Sequence, residues 1–396
     1  MIVTMPPHAA DIRSPFDIHR GASAPRLAAD RTPPSAETLC KWLRDMMLIR
    51  EFEVRCMQAY QDKKIGGFCH IYIGQEAVAV GCVAAMKPED PLVTAYRDHG
   101  HALARGMTPE ACMSEMFGRV DGCAKGKGGS MHMFDKTHNM FGGHGIVGAQ
   151  TPLGAGLAFA TKYEDEVLRK GKSSRVTLCF LGDGALNQGA VHEAMNLAGL
   201  MDLPVVFVVE NNGYSMGTSI HRGTTQGHDL RSKASGYGID SAIVDGMDVL
   251  ETYHGMKTVI DDARARSRPW FIDMRCYRYK GHSMSDPRKY RTRDEEDAWE
   301  TGDPIGRLNK QLQKQGILSE EQAKDMLREV KNEVRACVAF ADASPIPAAE
   351  ELYTDVFVES WGRYTGSSKP SMLGGGTNHP SFKSIDPSTD STEDLV

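Results

Sequence analysis

Two short polar sequences each close an apolar run of strand length. Gly182-Asp183-Gly184 ends the first run, and Glu210-Asn211-Asn212-Gly213 ends the second. Parallel strands present their carboxyl ends at one edge of a sheet, so Asp183 and Asn212 are predicted to converge there. A carboxylate oxygen and an amide oxygen suit Mg²⁺, which prefers to share its ligands with phosphate oxygens and water. The two sequences together predict a site for a Mg²⁺-bound diphosphate.

Glycine is the one compositional excess, with 40 residues in a chain of 396. The surplus is concentrated between residues 118 and 217, where glycine would let the main chain approach a ligand closely. Residues 184–189 lead into a predicted helix, and the N-terminus of a helix favours an anion. Glycine usage therefore supports the same diphosphate site.

The two polar sequences belong to a predicted βαβ unit. Apolar runs predict strands over 176–181 and 205–209, with a helix over 190–200 between them. Neither run alternates with polar residues, which favours a parallel sheet with helices on both faces. A further strand is predicted over 270–274, and it leads into a polar loop over 277–293. We therefore expect an α/β fold built on a mainly parallel sheet.

Helix-start signals predict five further helices and the limits of one ordered domain. The helices are one that is capped by Ser35 and runs to about Tyr60, one over 75–86, one that begins at Thr108-Pro109-Glu110, one that begins at Asp303-Pro304 and ends at Gly316, and a long one that begins with the capping box Ser319-Glu320-Glu321-Gln322. The domain is predicted over 36–361. Residues 1–35, rich in Pro and Ala, and residues 362–396, rich in Gly, Ser, Pro and Thr, are predicted to be disordered.

The composition is ordinary for a globular protein, with 41% hydrophobic residues, 25% charged residues and a formal net charge of −6. These values exclude collagenous and membrane-spanning chains and do not indicate a nucleic-acid or membrane binder. The nine cysteines are odd in number and form no C-x-x-C sequence, so neither a disulfide framework nor a zinc site is predicted. Residues 1–35 hold no apolar segment of a secretory signal. We expect a cytoplasmic location, with the mitochondrial matrix as the alternative.

Several sequence blocks resemble the alpha subunits of the decarboxylating component of 2-oxo acid dehydrogenases, a thiamin diphosphate-dependent family. The blocks are 67–70, 72–77, 95–97, 125–132, 145–150, 182–189 and 210–214. They follow the order of the family, and the resemblance extends from about residue 42 to residue 293. It implies a thiamin diphosphate-binding fold with Mg²⁺ as a second cofactor.

The resemblance also implies a role for individual residues. Asp183, Asn212 and the main-chain carbonyl of Tyr214 would hold the metal. The substrate and diphosphate side would be lined by His70, Tyr96, Arg97 and His282, and further cofactor contacts would come from Gly145, Val147, Gly184 and Ala185, the first two at the aminopyrimidine end. His70 and His282 would be the catalytic residues, as polar or proton-transfer groups.

The loop over 277–287 resembles the form found in pyruvate-specific members more closely than the branched-chain or acetoin forms. The resemblance therefore implies oxidative decarboxylation of pyruvate, with transfer of the acetyl group to the lipoyl arm of an acyltransferase component. An acetoin or branched-chain 2-oxo acid dehydrogenase alpha subunit is the alternative. A cofactor-free scaffold subunit is a further alternative, against which the intact Asp183 and Asn212 count.

The family places the glutamate that protonates the aminopyrimidine on a separate beta subunit. The resemblance thus implies a heterotetramer of two alpha and two beta chains, with the cofactor at a subunit interface. The presence of Glu76 in this chain is not sufficient reason to give it the role of that glutamate. Neither a nucleic acid nor a membrane is implied as a partner.

Ser283 and Ser285 match positions that are phosphorylated in animal relatives. A phosphate there would add negative charge beside the anion of the cofactor and should disorder the loop. After Pro287 the chain reads Arg288-Lys289-Tyr290 and lacks the third serine of the animal pattern, which argues against regulation by a kinase.

Two other patterns point less strongly to chemistry. Residues 125–130 look like a phosphate loop, but Gly128 follows Lys127 where that motif requires Ser or Thr. His132, His138 and His144 lack carboxylates at ligand spacing, so we expect them to be loop or packing residues rather than metal ligands.

Overall fold

The computed structural model describes residues 32–172 and 174–355. Most of them belong to one compact unit that ends at Ile346, and the described part of a second unit holds a short 3-10 helix, Ala349–Tyr353. Residues 1–31 of the predicted N-terminal extension (1–35) lie outside the described residues. The predicted tail over 362–396 lies wholly outside them. The predicted domain limit at 361 also falls outside them.

The first unit alternates helices and strands along most of its length. In chain order the elements are α1 (Ala36–Gln61), α2 (Glu76–Ala85), β1 (Leu92–Ala95), α3 (His99–Arg105), α4 (Pro109–Met116), β2 (Met140–His144), α5 (Gln150–Tyr163), β3 (Thr177–Gly182), α6 (Gly189–Leu200), β4 (Val205–Asn211), β5 (Tyr214–Ser215), β6 (Thr218–Ser219), α7 (Ile220–Gly223), α8 (Arg231–Ser235), β7 (Asp240–Asp245), α9 (Val249–Arg266), β8 (Trp270–Arg275), α10 (Arg293–Glu300), α11 (Pro304–Lys314) and α12 (Glu320–Ala343).

Six of these strands form a parallel sheet in the order β2-β1-β3-β4-β8-β7. Strands β5 and β6 form a separate antiparallel pair. In the central pair, Gly182 of β3 lies opposite Glu210 of β4, so both predicted polar sequences leave the sheet at the same edge. The predicted mainly parallel α/β fold is therefore confirmed.

Both faces of the sheet are covered, as the unbroken apolar runs predicted. Along β3, Leu178 and Phe180 point into one core, together with apolar residues of α1, α2 and α9. Cys179 and Leu181, which alternate with them, point into the other core, together with residues of α5 and α6. A strand buried on two faces has no solvent-facing side, and this explains the absence of polar alternation.

The predicted helix starts are also confirmed. The Ser35 hydroxyl accepts a hydrogen bond of 3.1 Å from the Thr38 amide at the start of α1. Ser319 and Gln322 form the reciprocal capping box that begins α12. No helix in the described part of the chain is long and apolar enough to cross a bilayer.

Candidate active site

Asp183 is the first residue beyond β3 and begins a 3-10 turn over Asp183–Asn187. Its side chain is buried, with 2% of its surface exposed, and its Oδ2 atom has no hydrogen-bond partner. Burial raises the pKa of this carboxyl to about 6, although the guanidinium of Arg278 opposes the shift. A buried carboxylate oxygen without a donor is costly, and a bound cation would satisfy it.

Asn212 lies just beyond the end of β4 and is also buried. Its Nδ2 atom donates to Oε1 of Gln75 over 3.2 Å, and its Oδ1 atom accepts from the amide of Tyr214 over 3.3 Å. The Nε2 atom of Gln75 is buried without a hydrogen-bond partner. Gln75, the residue before α2, is a polar group at this edge that sequence reasoning did not select.

The β5–β6 hairpin packs directly against the turn that follows β3. A Cβ atom added to Gly184 would lie 2.7 Å from Cβ of Ser215, which no ordinary contact allows. The absence of a side chain at Gly184 therefore brings Tyr214 and its neighbour beside the Asp183 turn. The phenol of Tyr214 points elsewhere and donates to Oε2 of Glu295 over 2.8 Å.

Three aromatic rings from distant parts of the chain meet in a second group. The ring centroids of His70 and Tyr96 are 4.6 Å apart, those of His70 and His282 are 5.2 Å apart, and those of Tyr96 and His282 are 5.7 Å apart. The Nδ1 atom of His70 is buried without a partner. The residues predicted for the substrate side are thus brought together.

The two histidines of this group are electrically neutral at physiological pH. Burial, with the nearby charge of Arg97, lowers the pKa of His70 to about 2. Burial, with the charges of Arg97 and Arg278, lowers the pKa of His282 to about 3. Arg97 also ties the group together, because it donates to the carbonyl of Ile71 and to the carbonyl of His282, each over 2.7 Å.

Arg278 is a second buried guanidinium at this edge, with 1% of its surface exposed. It donates hydrogen bonds to neutral oxygens, among them the carbonyl of Lys280 at 3.1 Å and the hydroxyl of Tyr290 at 3.2 Å. Burial and the charge of Arg97 lower the pKa of Arg278 to about 10. Two buried guanidiniums close to each other suit an anionic ligand. The sequence analysis selected the loop that holds Arg278 but gave this residue no role.

The loop that follows β2 reaches the Asp183 turn from the other side. A Cβ atom added to Gly148 would lie 3.0 Å from Cβ of Gln188, which ends that turn. Gly145 is half-buried, whereas the side chains of Ile146 and Val147 are exposed. The apolar side chains of this loop therefore point to solvent, and the contact of its main chain with the aminopyrimidine end stays a prediction. Ala185 is buried within the turn itself.

Behind the two groups lies a buried polar cluster that sequence reasoning missed. The hydroxyl of Tyr72 donates to Oε1 of Glu210 over 2.5 Å, and Nε2 of His101 lies 3.3 Å from the same oxygen. Glu210 is the penultimate residue of β4, two residues before the predicted metal ligand Asn212. No spacing in the sequence links these three residues, because Tyr72 comes from the loop before α2, His101 from α3 and Glu210 from β4.

The remaining candidate residues have separate partners. Nδ1 of His132 lies 3.0 Å from the carbonyl of Gly143, His138 pairs with Asp135 over 2.5 Å, and Nε2 of His144 lies 3.1 Å from the carbonyl of Phe141. The hydroxyls of Ser283 and Ser285 lie 3.0 Å apart, beside His282.

The fold and this edge of the sheet define an α/β protein whose ligand site lies at the carboxyl ends of parallel strands. Residues 44–350 match the family described as Dehydrogenase E1 component, and the chain belongs to that family. Membership confirms the predicted enzyme class, an oxidoreductase that uses thiamin diphosphate.

Several named relatives match most of this chain and most of their own length. The pyruvate dehydrogenase E1 component subunit alpha of Zymomonas mobilis is 47% identical over 355 residues, which cover 89% of this chain and 96% of the relative. The protein of the same name from Rhizobium meliloti is 46% identical over 82% of this chain and 91% of its own length. A relative from Dictyostelium discoideum, whose name adds a mitochondrial location, is 44% identical over 84% of this chain and 85% of its own.

Proposed function

We propose that this chain is the alpha subunit of a dehydrogenase that decarboxylates pyruvate oxidatively and passes the acetyl group to a lipoyl arm. The observation that carries the proposal is the 47% identity, over 89% of this chain, to a relative named for pyruvate. The unpartnered carboxylate of Asp183 and the buried guanidiniums of Arg97 and Arg278 support a metal-bound anionic cofactor at the same edge of the sheet.

Asp183, Asn212 and the main-chain oxygen of Tyr214 would hold Mg²⁺. The fit rests on the donor-free Oδ2 atom of Asp183 and on the close packing of Gly184 against the hairpin that carries Tyr214. Oxygen ligands with one formal charge suit this cation when phosphate oxygens complete its shell. When bound, thiamin diphosphate supplies the carbon nucleophile and the electron sink that decarboxylation of a 2-oxo acid needs.

His70 and His282 would handle protons at the reacting end. Their lowered pKa values leave both imidazoles neutral, so each can accept a hydrogen bond or a proton. An anion bound beside Arg97 and Arg278 would offset the positive charges that depress these pKa values. Both values would then move toward neutrality, where proton transfer is most efficient.

A beta subunit would complete the site from the side of the loop that follows β2. Large apolar side chains are exposed on this loop and on the neighbouring helices α5 and α6: Ile146, Val147, Leu153, Phe159, Tyr163, Leu197 and Leu200. Ile146 is 77% exposed. Because soluble monomers seldom expose large contiguous apolar patches, we infer that partner chains cover this surface in an assembly of two alpha and two beta subunits.

Co-expression with the beta subunit tests the proposal. Reduction of dichlorophenolindophenol by the complex, with Mg²⁺ and thiamin diphosphate, should be fastest with pyruvate and slower with acetoin or branched-chain 2-oxo acids. A preference for acetoin or a branched-chain acid would overturn the substrate assignment. The alpha chain alone should not decarboxylate pyruvate, and turnover without a second polypeptide would exclude the two-chain site.

We further propose a cytoplasmic location, which the bacterial sources of the Zymomonas and Rhizobium relatives support. The mitochondrial name of the Dictyostelium relative keeps the matrix as the alternative. Ser283 and Ser285 remain candidate phosphorylation sites, and mass spectrometry of the protein from its native cells would detect the modification.

A further inference from the structure

The glycine-rich segment over 124–129 wraps around one carboxylate. Oε2 of Glu115 accepts hydrogen bonds from the amides of Ala124 at 2.8 Å and Gly126 at 2.9 Å. Oε1 accepts from the amides of Gly128 at 2.7 Å and Gly129 at 3.0 Å. Glu115 lies at the end of α4 and is buried. Successive main-chain amides that converge in this way form an anion-binding nest, and here the anion is a side chain of the protein itself.

The shape of the segment requires its glycines. Gly126 and Gly129 have φ angles of +75° and +63°, which favour glycine. A Cβ atom on Gly128 would lie 2.6 Å from the carbonyl oxygen of His132. This segment thus resembles a phosphate loop in its main-chain conformation as well as in its sequence. The carboxylate of Glu115 occupies the position that a phosphate would take.

The segment continues into residues that touch the active site. Oγ of Ser130 accepts from the amide of His70 over 3.3 Å. The carbonyl of Ser130 lies 2.9 Å from Nε2 of His99, and Nδ1 of His99 lies 3.0 Å from the carboxylate of Glu53. Burial opposes a charge on His99, but Glu53 raises its pKa above the ordinary value. The segment is therefore fixed at one end by Glu115 and at the other by the ion pair of Glu53 and His99.

The same segment also reaches the far side of the site. Nδ1 of His132 contacts the carbonyl of Gly143 in β2, and a Cβ atom on Gly145 would lie 3.2 Å from the His132 ring. One stretch of chain thus supports both His70 and the main chain that follows β2. A change in its shape would move both of them.

We propose that Glu115 is a positioning residue of the active site, whose carboxylate serves as the template for the glycine-rich segment. Through Ser130 it sets the position of His70, and through His132 it sets the position of Gly145. This inference rests on the proposed function. It adds a residue that lies outside the predicted ligand set and acts only through its neighbours.

Replacement of Glu115 by alanine gives a test that general destabilisation would not mimic. The atoms removed are Cγ, Cδ and both carboxylate oxygens, which have the connectivity of acetate. The Glu115→Ala complex of alpha and beta subunits should lose at least about tenfold in kcat for pyruvate, because misplacing a catalytic group by about 1 Å can cost about 100-fold. Added acetate should restore kcat saturably, whereas the neutral isostere acetamide should not.

Hydrogen exchange of the cofactor-free complex gives a second test, which does not depend on turnover. In the cofactor-free complex, hydrogen exchange followed by mass spectrometry should show faster exchange of the amides over 124–129 and of His70 in Glu115→Ala, and acetate should reverse both changes. Asp90→Ala is the matched control, because Asp90 is another buried carboxylate that accepts main-chain amides. Acetate should change neither its kcat nor exchange over 124–129.

The outcomes separate this inference from the proposed function. An unmodified complex without pyruvate turnover would overturn the proposed function and, with it, this inference. If the unmodified complex is active, a Glu115→Ala variant with unchanged kcat, or a loss that acetate does not reverse, overturns the inference alone. If Glu115→Ala does not assemble, Glu115→Gln decides: an assembled variant with normal kcat overturns the proposal, and a loss of at least about tenfold supports it.

Discussion

Two buried aspartates at opposite ends of the sheet differ in how their charges are satisfied. Asp90 precedes β1 at the amino end and is wholly buried. It accepts hydrogen bonds from the amides of Lys87 and Val176 at 2.8 and 2.9 Å, and both of its oxygens pair with Arg264. Asp183 follows β3 at the carboxyl end and is almost equally buried, but its Oδ2 atom has no partner.

The two ends therefore differ in what their carboxylates require. The charge of Asp90 is neutralised inside the protein, although Nε of Arg264 and Oγ1 of Thr177 at the same end are buried without a hydrogen-bond partner. The carboxyl end retains unpartnered atoms on Asp183, His70 and Gln75. Because a buried charge without a partner destabilises the folded state, we infer that the unpartnered carboxylate oxygen of Asp183, together with His70 and Gln75 at the same edge, marks where a ligand completes the structure.

Asp183→Asn should nearly abolish activity. Loss of outer-shell partners of a metal already costs about 10–100-fold in affinity or activity, so loss of a proposed ligand should cost more than about 100-fold. Pyruvate-dependent turnover of the alpha–beta complex at saturating Mg²⁺ measures the effect. Turnover within about tenfold of the unmodified complex would remove Asp183 from the metal site.

Asp90→Ala should lower the stability of the protein and leave its activity unchanged. It leaves the half-buried guanidinium of Arg264 without its carboxylate. Breaking a fully buried ion pair lowers the free energy of unfolding by about 3–5 kcal/mol, and because Arg264 keeps some contact with water we expect a loss of about 2–3 kcal/mol here. Urea unfolding measures the loss. Turnover per folded complex should not change, and a separate loss of kcat would show that the amino end contributes to the chemistry.

His70 should make the cofactor-free protein sensitive to acid. Its pKa falls from 6.5 in the unfolded chain to about 2 in the folded protein, so between pH 7 and pH 5 only the unfolded chain takes up the proton. Stability therefore falls with pH, by about 2 kcal/mol over this interval. His70→Asn should lack this contribution, as the difference between urea unfolding curves at the two pH values would show. Equal pH dependence of the two proteins would contradict the neutral, buried imidazole.

Asp183→Asn should also stabilise the cofactor-free protein slightly. Burial raises the pKa of the carboxyl to about 6, so the charged form destabilises the folded state above that pH and does so less as the pH falls. The amide removes this cost but must itself be buried, and we expect a net gain of about 1 kcal/mol at pH 7. Urea unfolding at pH 7 without cofactor or Mg²⁺ measures it, and a loss of stability would mean that the charge is already satisfied.

Site residues could be predicted from the sequence where local strand patterns place them together, and not where the fold joins distant segments of the chain. Asp183 and Asn212 could be predicted because each closes a buried strand, and neighbouring parallel strands end together. His70, Tyr96 and His282 could be predicted only through the family resemblance, because nothing local in the sequence links residues so far apart.

Other features had no local signal at all. Glu115 could not be found because its partners are main-chain amides, which leave no signature in the sequence. Arg278 resembles the neighbouring Arg288 and Arg291 until the fold buries it. Strand β2 was missed because its sequence, Met-Phe-Gly-Gly-His, has little strand propensity. Its extended conformation depends on pairing with β1.

The strand order has a consequence for the way the chain is made. Within residues 32–172 and 174–355, strand β7 pairs only with β8, and β8 lies between β7 and β4. During synthesis β7 therefore emerges before this neighbour, and the β4 edge stays open until β8 has been translated. His282 lies beyond β8 on the loop that follows it, so the ribosome must release almost three quarters of the chain before this histidine can meet His70. An interrupted translation product would hold Asp183, Asn212 and His70 without the loop that carries His282.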